Sequence, residues 1–333
     1  MQTRTLQTDG LKQRILEAGP TDGSAPLVLL IHGFPELGIS WRAQVQALAE
    51  AGYHAVAPDM RGYGDTERPS GVEAYSILSL VGDMVDLVRA LARETGSRTE
   101  CVVVGHDWGA PVAWHCALLR PQMFRAVFGL SVPFQPRIPK GAPLPMMRAI
   151  SKRVGRDLYI CQFQAPQAHR AFETDVAAAL RKGFYAYDGA TPNDRQSTGF
   201  IAPGQDFVSE IPDDATLPPW MTPDHFAEYV AAFSAGGFDA PLNWYRCLDR
   251  NWALMAFVQD LKITVPSAFM VGERDPVRNY SGAAEATLKD WATDLRHLTV
   301  VPGAGHWIQQ EQPDVVNAAL LQFLGGLTTP PKT

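Results

Sequence analysis

Apolar residues along this chain follow two habits. Short unbroken runs, at Leu27–Ile31 and at 101–104, 126–131, 266–271 and 298–301, have the length and continuity of strands buried on both faces of a parallel sheet. A shorter strand is expected at 54–57. Between these runs the apolar positions recur every three or four residues. Over 79–95 that spacing puts Leu80, Met84, Leu87, Val88 and Leu91 on one helical stripe, and 41–50, 110–119 and 313–324 also carry helical patterns. Two segments at the start, 3–8 and 13–18, are expected to pair antiparallel. Strands alternating with helices predict an α/β class, with a mostly parallel central sheet flanked by helices.

The rhythm stops after Pro133 and resumes near Pro266. Between them lie helix-like segments separated by polar, proline-rich loops, notably 188–219, and a dense set of aromatics that includes Phe163, Phe172, Tyr185, Trp220, Tyr229 and Trp244. Thr222-Pro223-Asp224 has the chemistry of a helix start: a capping hydroxyl, proline in the first position and an acid in the first turn. The expectation is a core of 1–133 and 262–333 interrupted by an inserted, mainly helical cap over 134–261.

Composition narrows the function. A chain of 333 residues, 46% hydrophobic and 19% charged, can bury a large core, and a net charge of -6 argues against nucleic acid or an anionic membrane as the main partner. No apolar run approaches the ~20 residues of a membrane span, and the first residues lack a signal-peptide core, so the protein reads as soluble and cytoplasmic. Cys101, Cys116, Cys161 and Cys247 are far apart and suggest neither a zinc site nor a disulfide framework. Asn279-Tyr280-Ser281 spells a glycosylation acceptor, which without a secretory signal is read as coincidence. No glycine pattern of a dinucleotide or phosphate loop follows any strand, so neither metal nor organic cofactor is expected.

The chemistry lies where strands end. Gly105-His106-Asp107-Trp108-Gly109 follows a strand and opens a helix, the form of a nucleophile elbow with aspartate in place of serine. Asp275 and His306 each lie just past a later strand in a glycine-containing loop, in the chain order nucleophile, acid, histidine. Aspartate in that place has a chemical reason. Serine attacking a saturated carbon would give an ether that water does not cleave, whereas a carboxylate gives an ester that a histidine-activated water can hydrolyse. The elbow therefore points to displacement at a saturated carbon, in an alkyl halide or an epoxide. Asp275 would orient His306 and stabilise its imidazolium. The oxyanion of ester hydrolysis would meet the backbone N–H groups of Phe34, in His32-Gly33-Phe34-Pro35, and of Trp108. His32 is expected to brace that loop, and 59–65 to be a structural turn in which Arg61 is not catalytic.

With these motifs the chain resembles the soluble epoxide hydrolases of the α/β-hydrolase superfamily, over nearly its whole length. The resemblance is carried by His32-Gly33-Phe34-Pro35-Glu36, Trp41-Arg42, Asp59-Met60-Arg61-Gly62-Tyr63-Gly64-Asp65, the elbow, Ser131-Val132-Pro133-Phe134, Leu242-Asn243-Trp244-Tyr245-Arg246 and Gly305-His306-Trp307. It implies an α/β-hydrolase fold and two cap tyrosines that hold the epoxide oxygen and protonate it as the ring opens. Tyr245 matches one of them. Tyr159, in Asp157-Leu158-Tyr159-Ile160-Cys161-Gln162-Phe163-Gln164, is similar to the other, with Tyr185, Tyr187 and Tyr229 as alternatives.

The expected partners are a small apolar epoxide and water, and the expected product is a vicinal diol; a homo-oligomer stays open. The nearest rival is a haloalkane dehalogenase built on the same triad, which would use the Trp108 indole for halide but commonly wants an asparagine where Phe34 stands. A non-catalytic ligand sensor on the same fold is the rival of a different class.

Overall fold

The computed structural model describes residues 1–327. Eight strands form one sheet: β1 (Gln2–Gln7), β2 (Lys12–Ala18), β3 (Leu27–Ile31), β4 (His54–Pro58), β5 (Cys101–His106), β6 (Phe124–Leu130), β9 (Ser267–Gly272) and β10 (Leu295–Val301), with β7 (Asp157–Leu158) and β8 (Phe200–Ile201) pairing separately. The strand order is β1-β2-β4-β3-β5-β6-β9-β10. β2 runs antiparallel to both β1 and β4, and the remaining pairs are parallel.

Residues alternate between the faces of this sheet because successive side chains of a strand point oppositely. Leu29, Ile31, Val103, Val127, Phe269 and Val271 join one apolar cluster, with Leu80, Met84 and Leu87 of the helix Ile77–Thr95 and Val112 and Ala113 of Gly109–Leu119. Val28, Leu30, Val104, Phe128, Ala268 and Met270 join the other, with Val45 and Leu48 of Arg42–Glu50 and Val316, Leu320 and Phe323 of Pro313–Gly325. A central strand covered on both sides has no reason to alternate polar with apolar, so these strands read as unbroken apolar runs.

Most elements stand close to their sequence-based positions, but the helix Arg278–Trp291 between β9 and β10 is not among those expected from the sequence, and two other segments differ. Trp41 lies in a 3-10 turn, Gly38–Trp41, and the helix begins at Arg42. The stretch after β6 contains the two-residue pair β7–β8, too short to show a period. That stretch is otherwise helical, its longer helices being Pro143–Val154, Val176–Ala186, Pro223–Gly236 and Asp239–Arg246. Thr222 caps the third, its side chain accepting from the His225 N–H. Among the described residues, no helix is long and apolar enough to cross a membrane.

Candidate active site

β5 ends at His106, and the chain then turns so sharply into the next helix that Asp107 takes a positive φ of 51°. An L-residue adopts that conformation only where its surroundings impose it. Here the close approach of the flanking backbones does so: a Cβ on Gly105 would strike the Gly109 carbonyl, and one on Gly109 the Ile31 carbonyl at the end of β3. The turn lifts the Asp107 carboxylate to the edge of the sheet, where its Oδ1 accepts the Phe34 N–H at 2.7 Å.

Two later strand ends bring up the partners. His306 sets Nε2 3.4 Å from Asp107 Oδ2 and Nδ1 3.1 Å from both oxygens of Asp275. Asp275 is fixed by accepting the Val277 N–H at 2.9 Å. The backbone of His306 is held as firmly as its ring: its N–H donates to the Tyr187 carbonyl, and its carbonyl accepts from Ser131 Oγ and faces His106 Nε2 at 2.7 Å. His106 in turn pairs with buried Glu36 at 2.7 Å, and Gln309 and Gln310 donate to the same carboxylate.

Charge in this buried group is balanced internally. Burial works against an ionised Asp107, yet the hydrogen bond and charge of His306, the charge of His106 and the Phe34 N–H hold its carboxyl below the usual range. Burial alone would lower the His306 pKa, but the charges and hydrogen bonds of Asp275 and Asp107 raise it well above its ordinary value. The surroundings of His306 thus favour its charged form.

Facing the carboxylate is a cavity of about 30 Å³ lined by Phe34, Asp107, Tyr159, Tyr187, Phe207, Tyr245, Val277, His306 and Trp307, among others. Tyr245 comes from the helix Asp239–Arg246, anchored by the Trp244 indole donating to the Arg61 carbonyl at 3.1 Å. Its ring meets those of Trp108 and Phe34 edge-on, with centroids 5.1 and 5.6 Å away. Tyr159 opens a short helix directly after β7, with its N–H on the Gly199 carbonyl at 2.9 Å. The rings of Tyr159 and Tyr245 meet edge-on with centroids 6.0 Å apart, and the Tyr159 hydroxyl lies 3.4 Å from that of Tyr280. Burial pushes both phenols well above their ordinary pKa, so both stay protonated. A larger, open and polar cleft of about 540 Å³ lies behind Asp275. It holds neither the elbow nor the phenols, so the chemistry belongs to the smaller cavity.

Of the residues singled out from sequence, Asp107, His306, Asp275, Tyr159, Tyr245 and the Phe34 amide thus share one place, with Trp108 heading the helix behind the nucleophile. His32 accepts the Met60 N–H at 2.9 Å and braces the loop. Arg61 binds the buried Asp83 carboxylate, away from the cavity. Among the alternative tyrosines, Tyr187 also lines the cavity, its hydroxyl accepting from Ser197, whereas Tyr229 is buried elsewhere with its hydroxyl unbonded. Sequence reasoning did not find Phe207 or Val277, whose apolar side chains carry no signal, nor Tyr280, whose hydroxyl lies 3.4 Å from that of Tyr159.

Over residues 28–319 the chain matches the alpha/beta hydrolase family. It is 41% identical to epoxide hydrolase A of Mycobacterium tuberculosis, covering 97% of each chain, and 37% identical to epoxide hydrolase 3 of Siraitia grosvenorii, covering 96% of this chain and 97% of the other. Among solved structures it resembles an epoxide hydrolase from an endophytic Streptomyces, with a TM-score of 0.89, 38% identity and coverage of 98% and 95%. Epoxide hydrolase A from Mycobacterium thermoresistibile superposes with a TM-score of 0.87, 39% identity and coverage of 98% and 99%.

Proposed function

Because this chain belongs to the alpha/beta hydrolase family and is an epoxide hydrolase within it, we propose that it opens its substrate through a covalent ester on Asp107. Asp107 Oδ2 attacks an epoxide carbon as the C–O bond breaks, and the oxygen, which stays attached to the product, takes a proton from Tyr159 or Tyr245. A phenol is suited to that donation because it is weakly acidic and the developing alkoxide is strongly basic. The ester carries no charge, so His306 loses one of the two carboxylates that held its proton. Its pKa falls, the proton returns to the tyrosinate through the site or solvent, and neutral His306 becomes a base. It then takes a proton from water as the hydroxide adds to the ester carbonyl. The Phe34 N–H, already on Asp107 Oδ1, and the Trp108 N–H receive the oxyanion. Collapse releases a vicinal diol and restores Asp107.

The observation that carries this reading is the convergence on one cavity of an elbow carboxylate, two protonated phenols and a histidine–aspartate pair. The lining of Phe34, Phe207, Val277 and Trp307 suits an apolar epoxide. Residues 134–261 act in this scheme as the cap that supplies the phenols. A reducing, cytoplasmic setting agrees with the four cysteines, all free.

Single turnover of an aryl epoxide in ¹⁸O-water tests the scheme. The first diol is expected to carry an unlabelled oxygen taken from Asp107, with ¹⁸O appearing in the peptide that contains Asp107. Label in the first diol would mean direct attack by water and would end the covalent mechanism. Halide release from a haloalkane without diol from any epoxide would overturn the substrate assignment.

A further inference from the structure

Behind His306, on the side away from the cavity, two acids meet. Glu311 lies in the turn Ile308–Glu311 and Asp188 follows the helix Val176–Ala186. One oxygen of Glu311 accepts the N–H groups of Gly305 and Gly189 at 2.7 and 3.0 Å, and the other accepts the Trp307 N–H at 2.9 Å. A single carboxylate thus holds the residues on both sides of His306 and the cap segment beside them. Asp188 accepts the Trp220 indole N–H at 3.0 Å and lies near enough for its charge to act on Glu311. The backbones here are in direct contact: a Cβ on Gly305 would strike the Gly189 nitrogen, and one on Gly189 the Gly303 carbonyl.

We propose that Glu311 is a positioning residue of the reaction, its carboxylate fastening the cap segment 187–189 to the loop that carries His306 so that the imidazole stays aimed at the Asp107 ester. The proposal rests on the reading that His306 activates water in the second half-reaction. Other charges lie around the two acids: Arg274 bonds the carbonyls of Gly189 and Thr191 and the Asn193 side chain, Arg42 bonds Gln310, Glu36 bonds His106, and the His306 ring faces Asp275 and Asp107. Burial and the charge of Asp188 push the Glu311 carboxyl up to about 7, and burial raises Asp188 as well. As pH rises through neutrality Glu311 therefore takes on its charge beside Asp188, and the fastening is expected to weaken.

The test separates the two half-reactions. Glu311→Gln places an N–H₂ against backbone donors, and the expected result is ester hydrolysis slowed ~10- to 100-fold by misplacement of the base. Ring opening should stay within about threefold of wild type, because Asp107 and the phenols do not depend on the pair. The ester then accumulates and is read as added mass on Asp107. Asp188→Leu should do the same. Asp188→Asn, which removes the negative charge beside Glu311, should restore hydrolysis and flatten the alkaline fall in kcat. Equal slowing of both steps with a lowered Tm would reduce the pair to a structural contact and overturn the proposal, as would hydrolysis at the wild-type rate in Glu311→Gln. Absence of any ester or diol from the wild-type enzyme would instead refute the covalent reading beneath it.

Discussion

Burial keeps Tyr159 and Tyr245 protonated well above the pH at which a free phenol ionises, while His306 and the Phe34 N–H keep Asp107 ionised in the same cavity. The two groups therefore start in the states that the roles proposed for them demand, an acid that has kept its proton and a nucleophile that has lost its own. Replacing either phenol by phenylalanine leaves the other, so each single variant is expected to lose ~10- to 100-fold in kcat/KM on an aryl epoxide, and the double variant ~1000-fold or more. Tyr229→Phe, which removes an unbonded hydroxyl far from the cavity, should leave kcat/KM within about twofold. Steady-state rates decide this, and a double variant as active as wild type would remove the tyrosines from the mechanism. The sequence motif around Tyr245 was sharp. That around Tyr159 was less so; Tyr159 and Tyr187 both line the cavity, and what separates them is that Tyr159 packs its ring on Tyr245 while the Tyr187 hydroxyl is taken by Ser197.

At the scale of the element, the elbow is the piece whose geometry matters most. Asp107 holds its positive φ because the strand end, the turn and the following helix pack backbone against backbone, with Gly109 against the carbonyls of Ile31 and His32. Gly109→Ala is expected to push the helix from the Phe34 loop at a cost of ~1–3 kcal/mol, seen as a Tm several degrees lower. Its loss of kcat should exceed what the lower stability explains, because the Phe34 N–H is displaced from Asp107. A Tm and kcat both unchanged would show that the turn tolerates a side chain. The glycine spacing made this element legible from sequence, as did the apolar runs of β3, β5, β6 and β9. The pair β7–β8, which delivers Tyr159, was not legible, because two residues per strand carry no periodicity and their pairing is a long-range event.

Across the whole molecule, the stretch between β6 and β9 meets the His306 loop at buried charge, and the balance of that charge is expected to set a pH dependence. The folded-state pKa of Glu311, about 7, is raised from an ordinary value of 4.5. Its contribution to stability is thus fully present below about pH 4.5 and is lost as pH rises through 7, since over that window the folded state binds more protons than the unfolded. Thermal unfolding of the wild type and Asp188→Asn from pH 5 to 8 checks this. The wild type should lose Tm relative to the variant as pH rises to about 7, and parallel curves would contradict the assignment.

By itself the sequence determined the strands of the central sheet, the helices with a clear apolar stripe and the place of the elbow, because each is written in local spacing: runs, periods, and glycines around one aspartate. It also set Asp275 and His306 at strand ends, where a sheet presents its functional residues. Only the tertiary structure decided which tyrosines share the cavity, that Phe207 and Val277 line it, and that Asp188 and Glu311 meet behind the histidine. Those facts depend on elements far apart in the chain packing side by side. A carboxylate on a short helix looks the same in sequence whether it faces water or another buried acid, and only packing separates the two.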